Sequence, residues 1–150
     1  MVVRKAPPPA PHDSPDEVEA EFYEALQQGD IDKLMAVWAD DDEIACIHPG
    51  GPRVLGPQAV RASFEAVFAH GSVDVQPEAV RRYVSHGFAI HHVIERLRGV
   101  TRSGPQTAYV VATNVYARTP LGWRMTVHHA SPSGEEDSPP DFTDSSMMLH

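Results

Sequence analysis

Residues 107–117, TAYVVATNVYA, then Pro120-Leu121-Gly122, then WRMTVHHAS at 123–131, decide the fold class. β-Branched and aromatic residues fill the first run, and such residues suit a pleated, half-buried surface. The Pro-Leu-Gly break predicts a tight turn, hence two neighbouring antiparallel strands. The pattern continues upstream: residues 73–75, 79–85 and 88–97 read as strands punctuated by Pro77 and Gly87, and Ser103-Gly104-Pro105 supplies another turn. The second half of the chain is a strand meander.

The first half reads helical. Ser14 precedes Pro15 and has Glu17 three residues on, a capping-box pattern with proline at the first helical position. Val18, Phe22, Ala25 and Leu26 then recur at helical spacing until Gly29, which predicts a left-handed cap. Asp30 opens a second short helix carrying Ile31, Leu34, Met35 and Trp38 on one side. Residues 44–48 read as a short strand ended by the turn Pro49-Gly50-Gly51-Pro52, and Gly56-Pro57 starts a third helix with Val60, Phe64, Val67 and Phe68. Helices first and a meander afterwards predict an α+β domain: about three N-terminal helices on one face of an antiparallel sheet. A sheet that curls around its helices leaves a pocket between the layers. Residues 1–14, with Pro7, Pro8, Pro9 and Pro11, and residues 133–150, rich in Ser, Pro and acids, read as tails around a domain at 15–132.

Composition excludes several classes. The 150 residues carry 12 Lys+Arg against 21 Asp+Glu, a formal charge of −9, which argues against a nucleic-acid or anionic-membrane partner. No apolar run of membrane-spanning length occurs, and the N-terminus has no signal-like apolar core. The single cysteine, Cys46, excludes an internal disulfide and suits a reducing cytoplasm. Charge is also segregated: residues 13–43 hold twelve acids and one base, whereas residues 79–131 hold seven arginines and one acid, Glu95.

Three stretches together resemble the nuclear transport factor 2-like superfamily, on its SnoaL-like, ketosteroid-isomerase-like side. They are FYEALQQGDIDKLMAVWADDDEIACIHPGG (22–51), VRASFEAVF (60–68) after Gly56, and ATNVYARTPLGWRMTVHHAS (112–131). The resemblance covers residues 15–132. It implies a cone-shaped α+β barrel, a deep pocket between sheet and helices, and a homodimer through the sheet's outer face. It implies no single reaction, because isomerases, cyclases, dehydratases, epoxide hydrolases and binding domains share this shell. The isomerase's catalytic Asp and paired Tyr–Asp donors have no match here.

Candidate site residues follow from polar groups in apolar strands. Trp123, Met125 and Val127 share the phase of His129, so strict alternation turns His129 inward and His128 outward. Periodicity leaves open which phase of residues 88–97 faces inward, Ile90, His92, Ile94 and Arg96 or His91, Val93, Glu95 and Leu97. The second is preferred because Glu95 is the one acid of the Arg-rich half, and an inward Glu in an apolar pocket has a raised pKa. His129 and Glu95 are thus the acid/base candidates. Asn114, the odd polar residue of its strand, His48 at a strand end, Trp38 and His91 are candidate substrate contacts. The histidine spacing fits no metal motif, Ser131 and Cys46 sit on no nucleophile turn, and no Gly-rich phosphate loop is present, so neither metal nor cofactor is expected. Two functions remain. One is a cofactor-free acid/base enzyme on an apolar-to-amphipathic small molecule, acting by isomerisation, dehydration, cyclisation or hydrolysis. The other is a non-catalytic ligand-binding or dimerisation module. His129 and Glu95 on opposite faces of the sheet would favour the module.

Overall fold

The computed structural model describes residues 12–133, so most of both predicted tails lies outside the described residues, including the C-terminal tail's apolar residues Met147, Met148 and Leu149. The elements run α1 (Pro15–Gln28), α2 (Ile31–Ala36), β1 (Ala45–Ile47), β2 (Arg53–Leu55), α3 (Pro57–Phe68), β3 (Val75–Val84), β4 (Phe88–Thr101), β5 (Gly104–Thr119) and β6 (Gly122–Pro132). The N-cap is the predicted one: the Ser14 hydroxyl accepts from the Glu17 amide. Gly29 closes α1 in the left-handed region at φ 65°, where a Cβ would be strained.

The six strands form one sheet in the order β2-β1-β6-β5-β4-β3. The sheet is mixed where a purely antiparallel one was expected, because β1 runs parallel to β6. A helix and four strands separate the two in sequence, so no hairpin dictates their direction. Pro77, read as a break, lies inside β3, which is an edge strand paired only with β4; a missing N–H is tolerated there. The helices cover one face. Phe22 is fully buried and packs edge-on against Tyr23, Trp38 and Phe64, with centroids 5.1 to 6.5 Å apart. Leu34, Val60 and Met125 are also fully buried.

Two irregularities decide which side chains face inward. Along β4 and β5 alternation is unbroken: Ala89, His91, Val93 and Glu95 face in, as do Val110, Ala112, Asn114 and Tyr116. The flanking strands each carry one extra residue. In β6 Val127 pairs with Val115 but Met125 pairs with Tyr116, which leaves Thr126 as a bulge. In β3 Glu78 pairs with Ile94 and Arg81 with His92, so an extra residue falls between them. A bulge swaps the two faces beyond it. Before the β6 bulge Trp123 and Met125 are inside; after it His128 and Ala130 are inside, and His129 is exposed. The inward placement expected for His129, and the outward one for His128, are therefore corrected: strict alternation does not survive Thr126.

The β3 bulge contains Ala79, the only non-glycine residue with positive φ (48°) among the described residues. Left-handed backbone costs an L-residue about 1–2 kcal/mol, whereas glycine costs about 0.4–1 kcal/mol through unfolded-chain freedom. Ala79→Gly is expected to stabilise the fold by about 0.5–1 kcal/mol, read as a higher urea midpoint at unchanged slope. An unchanged or lower midpoint would show that this turn holds no strain.

Candidate functional site: a polar row inside the sheet

Pairing aligns one row of inward residues across the sheet. Cys46 on β1 pairs with His128 on β6, His128 with Asn114 on β5, Asn114 with His91 on β4, and His91 with Arg82 on β3. His91 and Asn114 are fully buried and His128 is 4% exposed. Unsatisfied polar groups at such depth are costly, and their partners come from the helix that crosses them.

Asp16, Glu19 and Tyr23 lie three and four residues apart on α1, hence on one face. Asp16 accepts from Arg82 Nε at 2.7 Å. Glu19 Oε2 meets His91 Nδ1 at 2.5 Å and accepts from the Tyr116 hydroxyl at 3.2 Å. Tyr23 donates to Glu95 Oε2 at 2.6 Å and accepts from Asn114 Nδ2 at 3.0 Å. Asn114 Oδ1 in turn accepts from His128 Nδ1 at 2.6 Å. With the amide so oriented, donors run one way along His128, Asn114, Tyr23 and Glu95. Such chains strengthen each bond in turn.

Burial governs the protonation of this chain. Desolvation pushes the Glu95 carboxyl up to about 7; the Tyr23 hydrogen bond opposes the rise without cancelling it, and the nearby Glu19 adds to it. Desolvation pushes His128 down to about 3, assisted by His48 and His129. Tyr23 is held well above its ordinary value by burial and by the Glu95 charge. At neutral pH His128 is a neutral imidazole with Nδ1–H on Asn114, and Glu95 is poised near half-ionisation.

The remaining candidates fall into two groups. His48, half-buried, follows β1; its Nε2 lies 3.0 Å from the Ser63 hydroxyl and its ring 4.8 Å from that of Phe64, and burial lowers its pKa. Cys46 Sγ is 3.7 Å from the same nitrogen, but desolvation pushes the thiol up to about 12, so no thiolate forms near neutrality. Trp38 is buried with its Nε1 unpartnered among the described residues. His129 lies outside the cluster, so His129 and Glu95 share no pocket. Glu95, Asn114 and His91 come together, joined by Glu19, Tyr23, Tyr116 and His128, which strand reasoning did not select. One signal for the helical members was available: Asp16, Glu19 and Tyr23 border the apolar stripe of α1. Among the described residues, no three His, Cys, Asp or Glu side chains are placed to hold a metal.

A cavity of about 890 Å³ runs between α2, the start of α3 and the β5–β6 turn; Trp38 is among its lining residues, but no member of the polar row lines it.

Titration of Glu95 and His128 has a thermodynamic consequence. Glu95 binds its proton more tightly folded than unfolded (about 7 against 4.5), so its contribution is full below pH 4.5 and is lost as pH rises through 7. His128 binds its proton less tightly folded (about 3 against 6.5), so its contribution is full above pH 6.5 and is lost as pH falls through 3. Between about pH 4.5 and 6.5 the two slopes, each about 1.4 kcal/mol per pH unit, oppose one another. Glu95→Gln is expected to expose the histidine slope, so that its stability relative to the parent rises by roughly 3 kcal/mol across that window. Denaturant titrations at four pH values measure it; parallel curves for the two proteins would refute the assignment.

Comparison with known proteins agrees with this architecture. Residues 16–134 match the SnoaL-like domain. A candidate calcium/calmodulin-dependent protein kinase type II association domain from Thiobacillus denitrificans is 38% identical, with 84% of this chain and 99% of that chain covered and a TM-score of 0.76. A candidate dehydratase of the NTF2-like family from Streptomyces avermitilis is 29% identical, with coverage of 79% and 93% and a TM-score of 0.71. A CaMKII hub from S. rosetta shares the fold at 20% identity, coverage of 81% and 99%, and a TM-score of 0.65. No curated protein matches. With this domain match, over a helix-covered curved sheet, the chain belongs to the SnoaL-like family of the NTF2-like superfamily.

Proposed function

We propose that the chain is a self-associating module, a homodimer through the outer face of β4, β5 and β6. The observation that carries it is the makeup of that face. Ile94 pairs with Val111, and Ile90 with Val115, which pairs in turn with Val127; these two aliphatic rows, only partly buried, flank a row of His92, Thr113 and His129. Phe88 and Tyr83, 44% and 64% exposed, stand at the β3–β4 end. Among the described residues, no helix covers this side. Partly exposed aliphatic surface of this kind marks interfaces, and a two-fold pairing of one face with itself is the commonest closed assembly. The 38% identical relative, named for association, supports the reading. So does the packed state of the inner face, where Glu95 and Asn114 are already bonded to other residues.

A second reading rests on a separate observation. Glu95, held near neutrality and bonded to Tyr23, is an acid/base group whose hydrogen-bond line ends in a neutral imidazole, and the 29% identical relative is named a candidate dehydratase. A substrate would have to reach the Tyr23 hydroxyl. Small molecules that bind the inner face should then shift the His128 ring resonances; a screen whose hits all leave them unmoved would reject this reading.

The dimer is tested by sedimentation velocity at micromolar concentration, where about twice the 16.4 kDa chain mass is expected. Val111→Lys places a charge at the centre of the face and should give a monomer with unchanged far-UV dichroism. A monomeric parent would overturn the proposal, as would a Val111→Lys protein that stays dimeric.

A further inference from the structure

We propose that the groove over the first turn of α3 binds a small zwitterion with an apolar side chain, of the α-amino acid class. The groove consists of two cavities, of about 890 and 660 Å³, that share Asp40, Pro57 and Gln58. Either is of the size that takes a small ligand. Neither is lined by the polar row or by the aliphatic rows of the outer face, so the site stands apart from both readings above.

The ligand's anionic end is specified by two independent features. The first is Arg124, which lines the larger cavity and is only 4% exposed. Its Nη1 is occupied, donating to the Trp123 carbonyl at 2.8 Å and lying 3.3 Å from His12 Nδ1; its Nη2 is buried with no partner among the described residues. A buried donor of this kind gains most from an acceptor, and a charged one gains more. The second is the start of α3. This 12-residue helix is capped by Gly56, which offers no side-chain acceptor to the first turn, and that turn lines both cavities. Free N–H groups and the helix dipole favour a carboxylate there. Arg61 also lines the larger cavity, but its guanidinium is taken up by Asp32 at 2.8 Å and Glu65 at 3.9 Å.

The cationic end is specified by Asp40. It lines both cavities, is exposed, and forms no ion pair among the described residues. Asp41, beside it, has one oxygen engaged by the Glu43 amide at 2.7 Å. A simple carboxylate would be repelled by these carboxylates and a phosphate dianion more so, whereas an ammonium group beside the carboxylate turns the repulsion into attraction. Met35, Pro120 and Leu121 supply apolar wall in the same cavity, and Leu121 is 59% exposed without a ligand to cover it.

The test is calorimetric titration of the full chain with three matched probes: leucine, its deaminated analogue 4-methylpentanoate, and its decarboxylated analogue 3-methylbutylamine. Leucine is expected to bind, the acid about tenfold more weakly, and the amine not at all. Arg124→Gln should weaken leucine about tenfold, and Asp40→Asn should narrow the gap between leucine and the acid. If Arg124→Gln fails to fold, Arg124→Lys, which keeps the charge but loses the fork, should show the loss in a milder form. Absence of leucine binding, an amine that binds as well as leucine, or an affinity indifferent to both substitutions would overturn the proposal.

Discussion

The packing of α1 on the sheet is governed by the need to satisfy polar groups that both layers bury. Glu19 is 6% exposed and Tyr23 is 2% exposed, on the same helix that buries Val18 and Phe22 completely. An apolar stripe alone tolerates small rotations and slides of a helix over a sheet. Glu19 against His91 and Tyr116, and Tyr23 between Glu95 and Asn114, do not, because a shift of one residue leaves several buried partners unmatched. The two attachments sit four residues apart on the helix and four apart on β4, where His91 and Glu95 receive them. Four residues rise about 6 Å in a helix and about 13 Å in a strand. The second attachment is therefore made by a long side chain, tyrosine, whose hydroxyl reaches past the mismatch.

The bulges make the same constraint possible on the sheet side. Arg82 and His128 belong to the polar row only because one extra residue in β3 and one in β6 turn them inward. Without Thr126 as an insertion, Val127 would sit opposite Asn114, His128 would turn outward and His129 would face inward opposite Ala112. Without the insertion beside Ala79, Arg82 would turn away from Asp16. The central pair β4–β5 keeps strict alternation, and each flanking strand adjusts its phase to it once.

This division explains what could be read from the chain alone. Element order, the Ser14 cap, the Gly29 terminus and the strand meander depend on local propensity and turn chemistry, which single residues carry. That His91 and Glu95 share a face was legible, since no bulge interrupts β4. Which face is inward was not, because both phases of residues 88–97 mix apolar and polar side chains. The side on which His128 and His129 fall was not accessible, because TVHHAS contains no glycine or proline to announce the insertion at Thr126; pairing with Val115 and Tyr116 creates it. Glu19 and Tyr23 were hidden differently. Each sits among solvent-directed acids in PDEVEAEFYEALQQ, and its partner is 72 residues away in sequence. Helical periodicity separates faces, but it does not tell an acid that borders the apolar stripe from one that is buried beneath it.

The three surfaces of the molecule then differ in what they leave unsatisfied. On the inner face the hydrogen-bond line runs from His128 to Glu95. The buried donors without a partner among the described residues include Trp38 Nε1 and His91 Nε2, the latter 4.0 Å from an Asp16 oxygen already held by Arg82. The outer face leaves aliphatic rows partly exposed, a deficit that only another apolar surface can meet. At the start of α3 the deficit is one of hydrogen-bond acceptors, through Arg124 and a helix without a side-chain cap, beside the Asp40 carboxylate, which forms no ion pair among the described residues. A second copy of the chain answers the outer-face deficit but supplies nothing specific to the groove, and a zwitterion answers the groove but not the aliphatic rows. The proposed self-association and the proposed zwitterion binding therefore use separate surfaces, each with its own chemistry, while the polar row holds α1 on the sheet.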